Sequence, residues 1–178
     1  MRLLTEGYSN TAVGYLTLDA TTTGNNNSAF GMSALGGNTT GNQNSAFGPS
    51  SLVANTTGGN NSAFGFLSLT VNTTGNYNSS LGYNAGSTNS TGSNNVFVGD
   101  TAGSNNTIGS DNVFIGSNTF AVLNNLTNAI AIGANASIAA NNSMALGGMG
   151  ANAVNVGINT DTPAQRLHVI GAAGDTTV

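Results

Sequence analysis

The sequence predicts an all-β fold, a parallel β-solenoid or β-roll, and three observations carry that prediction. Glycines recur at Gly14, Gly31, Gly48, Gly65, Gly82, Gly99, Gly116 and Gly133, each seventeen residues after the last. A second glycine series, Gly24, Gly41, Gly58, Gly75, Gly92 and Gly109, keeps the same period. So does an asparagine series, Asn10, Asn27, Asn44, Asn61, Asn78, Asn95 and Asn112. Series locked in phase mark a repeat architecture, in which each unit buries its apolar residues only against its neighbours. More than half of the 178 residues are Asn, Gly, Thr or Ser. That composition by itself points to disorder, because so little apolar surface rarely offsets the entropy of ordering a chain. The periodicity overturns that inference.

One unit reads Asn-Ser-Ala-Phe-Gly, five variable residues ending near a Leu, then Asn-Thr-Thr-Gly and a polar pair. The residue before the first glycine is apolar throughout: Val13, Phe30, Phe47, Phe64, Leu81, Val98, Ile115 and Ile132. A second apolar file, Leu18, Leu35, Leu52 and Leu69, follows four residues after that glycine and fades to Gly86 and Gly103 before Phe120. We assign both files to the core. Short alternating apolar stretches with Gly/Asn turn signals twice per repeat predict two short strands per unit, and no segment has a helical period. Seventeen residues at about 3.3 Å each give a circuit of at most about 56 Å, which suits a flattened coil. Stacking coils about 4.8 Å apart sets like residues above one another, so the asparagines can bond along the axis as amide ladders do. Glycine at each corner supplies positive φ or close backbone approach.

The core so defined is thin. Each coil brings about two large apolar side chains, whereas facing sheets need about 10 Å of filling. By strand alternation Ala12, Ala29, Ala46, Ala63 and Ser80 point opposite to Phe30 and its equivalents, and that file becomes Phe97 and Phe114 in later coils. Both faces of the strand are therefore expected to be covered, and self-association is the simplest cover. A homotrimer suits a fibre.

Charge narrows the function. Two basic and six acidic residues give a net charge of −4, too few cations to neutralise a phosphate backbone, so nucleic-acid binding is excluded. One His, no Cys and scattered carboxylates leave most acid–base, nucleophilic and zinc chemistries without their parts. The expectation is a protein that is not an enzyme and needs no cofactor. No apolar run approaches the roughly 20 residues of a membrane helix, so no membrane insertion is expected. Met1-Arg2-Leu3-Leu4 gives way at once to Thr5-Glu6-Gly7, with no apolar signal segment. We expect an internal piece of a longer protein.

The period then changes. Asn128-Ala-Ile-Ala-Ile-Gly133 and Asn142-Ser-Met-Ala-Leu-Gly147 place their glycines fourteen residues apart. The expected organisation is an amino-terminal edge over 1–9, seventeen-residue β-roll repeats over 10–133, fourteen-residue coils over 134–157, and a connector over 158–178. The two fourteen-residue motifs resemble the Asn-Ser-Val-Ala-Ile-Gly coil of YadA-like heads in trimeric autotransporter adhesins. Units such as Asn10-Thr-Ala-Val-Gly-Tyr15 and Asn38-Thr-Thr-Gly41 are similar to repeats of bacteriophage tail fibres and related adhesin-like proteins. Val156-Gly-Ile-Asn-Thr160, through Pro163 to Arg166-Leu-His-Val169, is similar to the segment that often follows them. The resemblance implies a trimeric left-handed β-roll, a fibre shaft or head displayed outside the cell or on the virion surface for host attachment. A bacterial surface adhesin head and a subunit of an extracellular filament joined end to end stand as alternatives. An ice-binding solenoid is the remote one, because adjacent threonines such as Thr39 and Thr40 point to opposite sides and make no flat Thr-x-Thr lattice.

Few residues offer themselves as binding groups. Tyr15, Phe66 and Tyr83 share one phase just after the corner glycine, with Met32 and Pro49 between them. They are the candidate glycan contacts, since exposed rings stack on sugars, although the same file equally suits a subunit seam. The sequons at Asn38, Asn55, Asn72 and Asn89 are explained by turn chemistry. His168 has no second ligand in phase, and Asp100 and Asp111 lack calcium-loop spacing, so no metal site is assigned.

Overall fold

The computed structural model describes residues 6–148 and the backbone of strands at 156–158 and 167–169. Nine short strands stack into one parallel sheet: β1 (Thr11–Val13), β2 (Ser28–Phe30), β3 (Ser45–Phe47), β4 (Ser62–Phe64), β5 (Ser79–Leu81), β6 (Val96–Val98), β7 (Val113–Ile115), β9 (Ala129–Ile132) and β11 (Ser143–Leu146). Each rung pairs with the equivalent residues of the next, as in Ala29 with Ala46 and Ala46 with Ala63. The offset shortens to fourteen only at the last step, where Ile132 pairs with Leu146. Two smaller parallel pairs join β8 (Phe120–Ala121) to β10 (Ser137–Ile138), and β12 (Val156–Ile158) to β13 (Leu167–Val169). The nine rungs are separated by eight turns of one chain, with no helix among the described residues. This is a parallel β-solenoid whose coils close within the single polypeptide. Apart from β12 and β13, the expected connector lies outside the described residues, as does the amino-terminal edge up to residue 5.

The predicted asparagine series runs through the interior. Asn27 Nδ2 donates to Asn10 Oδ1 (3.1 Å) and to the Gly41 carbonyl (2.9 Å), while Asn27 Oδ1 accepts the backbone N–H of Asn44 (3.0 Å). The pattern repeats at Asn44 and Asn61. Asn27 through Asn112 in this series are completely buried, where an amide without partners costs about 1–3 kcal/mol. A second buried ladder stands beside it. Asn55 Nδ2 donates to Asn38 Oδ1 and to the Gly58 carbonyl, both at 2.9 Å, and Asn72 does the same one coil on. Gly58 O accepts from both ladders, since Asn44 Nδ2 also reaches it at 2.8 Å. The inner ladder ends at Asn112. Inserting one residue before Gly133 puts Ala129 at the next site, and only its backbone N–H remains to donate to Asn112 Oδ1 (2.8 Å).

Gly48 shows why the corner excludes side chains. Its φ is +137°, and a Cβ there would lie 2.7 Å from the carbonyl carbon of Gly65 in the adjoining coil. The second half of the repeat departs from expectation. Instead of a second strand it is a bent segment in which Leu16 and Leu18, and likewise Ser50 and Leu52, have φ near +50°. Coil-to-coil bonds persist nevertheless, such as Leu18 N to Ala34 O (3.1 Å) and Leu35 N to Ser51 O (3.0 Å). At Phe120–Ala121 and Ser137–Ile138 this wall becomes a pair of short strands.

The core also corrects the sequence reading. Leu18, Leu35, Leu52 and Leu69 are completely buried. The other predicted file faces outward: Val13 is 54% exposed, Phe64 40%, Leu81 57% and Ile115 38%, while Phe30, Phe47, Val98 and Ile132 are half-buried. The small residues between them, Ala29, Ala46 and Ala63, are the buried ones. In these coils there is room for one large side chain, and the Leu on the opposite wall fills it. The larger residue of the strand must then point out. Where the Leu file gives way to Gly86 and Gly103, the strand supplies the bulk from the other side, and Phe97 and Phe114 are fully buried and stacked 5.8 Å apart.

Candidate functional site

The outward side of the long sheet is the feature with chemical consequence. Strand alternation aims two files of side chains away from the core, nine rungs long, which at the strand spacing is about 40 Å. One file is Val13, Phe30, Phe47, Phe64, Leu81, Val98, Ile115, Ile132 and Leu146. The other is Thr11, Ser28, Ser45, Ser62 and Ser79, then Val96, Val113, Ile130 and Met144. None of these residues is ionisable. Phe30, Phe47 and Phe64 stack along the axis with ring centroids 4.8 Å apart and planes within 10° of parallel. The stack stops at Leu81, leaving a shallow apolar hollow of about 170 Å³ lined by Ser62, Phe64, Ser79, Leu81 and Val98. An unbroken apolar strip of this length is more than scattered surface hydrophobes provide, and such strips mark interaction surfaces.

The candidate glycan contacts sit on the neighbouring file, across the corner glycine. Tyr15 is 73% exposed and stands apart, separated from the others by Met32 and Pro49. Phe66 and Tyr83 are brought together, stacked at 5.7 Å with both rings exposed. The structure therefore makes a pair and a lone ring. The next residue in that file is Asp100, whose coil is tied to this one by Thr101 N donating to Tyr83 O (2.9 Å). Asp100 and Asp111 are both exposed, on different files of the roll.

The remaining polar files are structural. Hydroxyls of Thr39, Thr56 and Thr73 donate to backbone carbonyls one coil on, at 2.9–3.1 Å, which leaves the outer threonines, such as Thr40 and Thr57, as a single exposed file. Asn38, Asn55, Asn72 and Asn89 are completely buried in the second ladder and offer no surface for modification. The sequence signal for that ladder was present in their seventeen-residue spacing, which continues to Asn106. What no sequence signal carried was the direction in which each face of the strand points.

Ladders, coil closure and the apolar strip together define a parallel β-solenoid repeat protein. No protein-family model matches this chain, and neither a characterised protein nor a solved structure shows significant similarity to it.

Proposed function

We propose that this chain is a structural segment of a host-attachment fibre, the shaft or head of a phage tail fibre or a similar appendage, working as a homotrimer outside the cell or on a virion. The observation that supports this reading is the continuous, uncharged apolar strip along one side of the rod. Three rolls standing side by side with their strips turned inward bury it, as repeat proteins and obligate oligomers bury apolar faces. Its work is mechanical. Hydrogen bonds running coil to coil resist extension and bending without ion pairs or disulfides, and the outer turns remain free to vary. On this reading the exposed Phe66–Tyr83 pair and Tyr15 lie at the rim of the seam and supply ring surface to a cell-surface glycan.

Light scattering tests the assembly. The expected mass is three times 17.5 kDa, and Val113→Asp, which sets a charge on the strip, is expected to give a monomer with an unchanged β-type circular dichroism spectrum. A wild-type monomer would sink the trimer. Loss of binding on a glycan array in Tyr83→Ala, with the mass unchanged, tests the rim separately.

A further inference from the structure

We propose that the glycan met by this chain carries a free primary amine, as a de-N-acetylated hexosamine does, and that its ammonium group lies between the open face of Tyr83 and the carboxylate of Asp100. The inference rests on the reading above that Phe66 and Tyr83 supply ring surface to a cell-surface glycan. The two rings stack with centroids 5.7 Å apart and planes 21° from parallel, so Phe66 covers one face of Tyr83. The other face turns along the axis toward the β6 coil, where the same file carries Asp100. Ser117 and Ala134 follow Asp100 in that file, and such short side chains leave the slot beyond Tyr83 open. Coils stand about 4.8 Å apart, so a cation seated at Asp100 falls within the roughly 6 Å of a ring centroid over which a π face attracts it.

The carboxylate is held in place. Thr101 Oγ1 donates to Asp100 Oδ1 (3.0 Å), and Thr101 N donates to the Tyr83 carbonyl (2.9 Å), which ties the anion to the coil of the ring. A carboxylate offers about four acceptor positions, and the Thr101 hydroxyl takes one of them. A primary ammonium brings three donors to the rest, whereas a quaternary ammonium brings none. An N-acetylated sugar presents a neutral amide and gains neither the ion pair nor the cation–π contact. Acidic sugars fare worse. Residues 6–148 carry the carboxylates of Glu6, Asp19, Asp100 and Asp111 and no Lys, Arg or His, so an anionic ligand meets only like charge along the rod.

Calorimetric titration of the full chain separates the possibilities, with a glucosamine hexamer, its fully N-acetylated counterpart and phosphocholine as probes. The expected result is binding of the glucosamine hexamer alone, weakening as salt is raised. Asp100→Asn keeps the shape of the side chain and an acceptor for Thr101, and is expected to weaken that binding about fivefold. Tyr83→Leu removes the ring face and is expected to weaken it about two- to fivefold. Both positions are exposed, and an unchanged circular dichroism spectrum shows that each variant is folded. Equal binding of the N-acetylated hexamer, or an Asp100→Asn variant that binds as well as the wild type, overturns the proposal and leaves the glycan reading standing. Phosphocholine binding more tightly than the amine hexamer overturns the choice of a hexosamine. Should neither hexamer bind, the proposal fails, and a glycan array on which Tyr83→Ala loses no ligand sinks the glycan reading with it.

Discussion

The coils of β2 to β4 and the coils of β6 and β7 solve the same packing problem with their large residues on opposite walls. In the first group alanine projects inward from the strand and leucine from the bent segment. In the second, phenylalanine projects from the strand, and the leucine site has become Gly103 in the β6 coil, with φ +73°. A Cβ on Gly86 would come within 2.6 Å of Phe97 Cδ2, and one on Gly103 would fall on the same ring. Between the groups lies the β5 coil, small on both sides, where Ser68 Oγ, Ser80 Oγ and the Ala85 carbonyl form a buried chain at 2.8 Å per link. The comparison teaches that interior volume is shared between the two walls and between neighbouring coils, since the Phe97 ring fills the space over Gly86 of the β5 coil as well as Gly103 of its own. Which wall contributes the volume is free to change, provided the facing and adjoining positions make room, as expected for interiors packed to crystal-like density.

Breaking one partner of the exchange has the largest effect. Phe97→Ala leaves a cavity with glycine on the facing wall and is expected to lower stability by about 3–5 kcal/mol, read by chemical denaturation. Gly103→Leu alone drives a side chain into the Phe97 ring, and its expected loss is about 1–3 kcal/mol. Joined with Phe97→Ala, it rebuilds the alanine–leucine pairing of the Ala63–Leu69 coil and should recover part of both losses. Simple additivity in that double-mutant cycle would refute the exchange. Backbone conformation does not forbid it, because Leu69 already sits at φ +51°.

Asn61→Ala probes what the two groups share. Gly75 O keeps its bond from Asn72, and Asn61 N–H keeps Asn44 Oδ1, but the backbone N–H of Asn78 loses its acceptor. Asn78 Nδ2 also loses its 3.2 Å bond to Asn61 Oδ1 but keeps the Gly92 carbonyl. The backbone donor left without any acceptor predicts a loss of about 1–3 kcal/mol, with faster hydrogen exchange at Asn78 as the local signature. Smallest for the single chain is Phe47→Ser on the outer strip, where the stacked rings contribute about 0.5–1.5 kcal/mol. Leu52→Ala in the same coil should cost about 2–5 kcal/mol. A larger effect from Phe47 than from Leu52 in a monomeric sample would reverse the inside and outside described here.

Much of this is legible in the sequence. The coil length, the parallel register, the inner ladder from Asn10 to Asn112 and the buried leucines follow from the seventeen-residue period, because stacking equivalent residues lets buried amides bond to one another. The asparagines from Asn38 to Asn106 kept the same period, yet their sequons read as turn chemistry, and their short-range bonds to Gly41, Gly58 and Gly75 are indeed those of a turn. Their coil-to-coil bonds are visible only once the turns are stacked. The expected second strand was misread for a local reason: alternating apolar residues look the same whether the backbone is extended or alternates into the left-handed region, as it does at Leu16 and Leu18.

By itself the sequence determined the period, the stacking and the residues that must lie above one another, since those depend on spacing alone. The tertiary structure decided which face of each strand is inside. Alternation supplies two faces and ranks neither, and the larger residue does not automatically win the interior. The space left by the opposite wall makes that choice. It puts Phe47 on the surface of a coil that Leu52 already fills, and draws Phe97 into the space that Gly86 and Gly103 leave open.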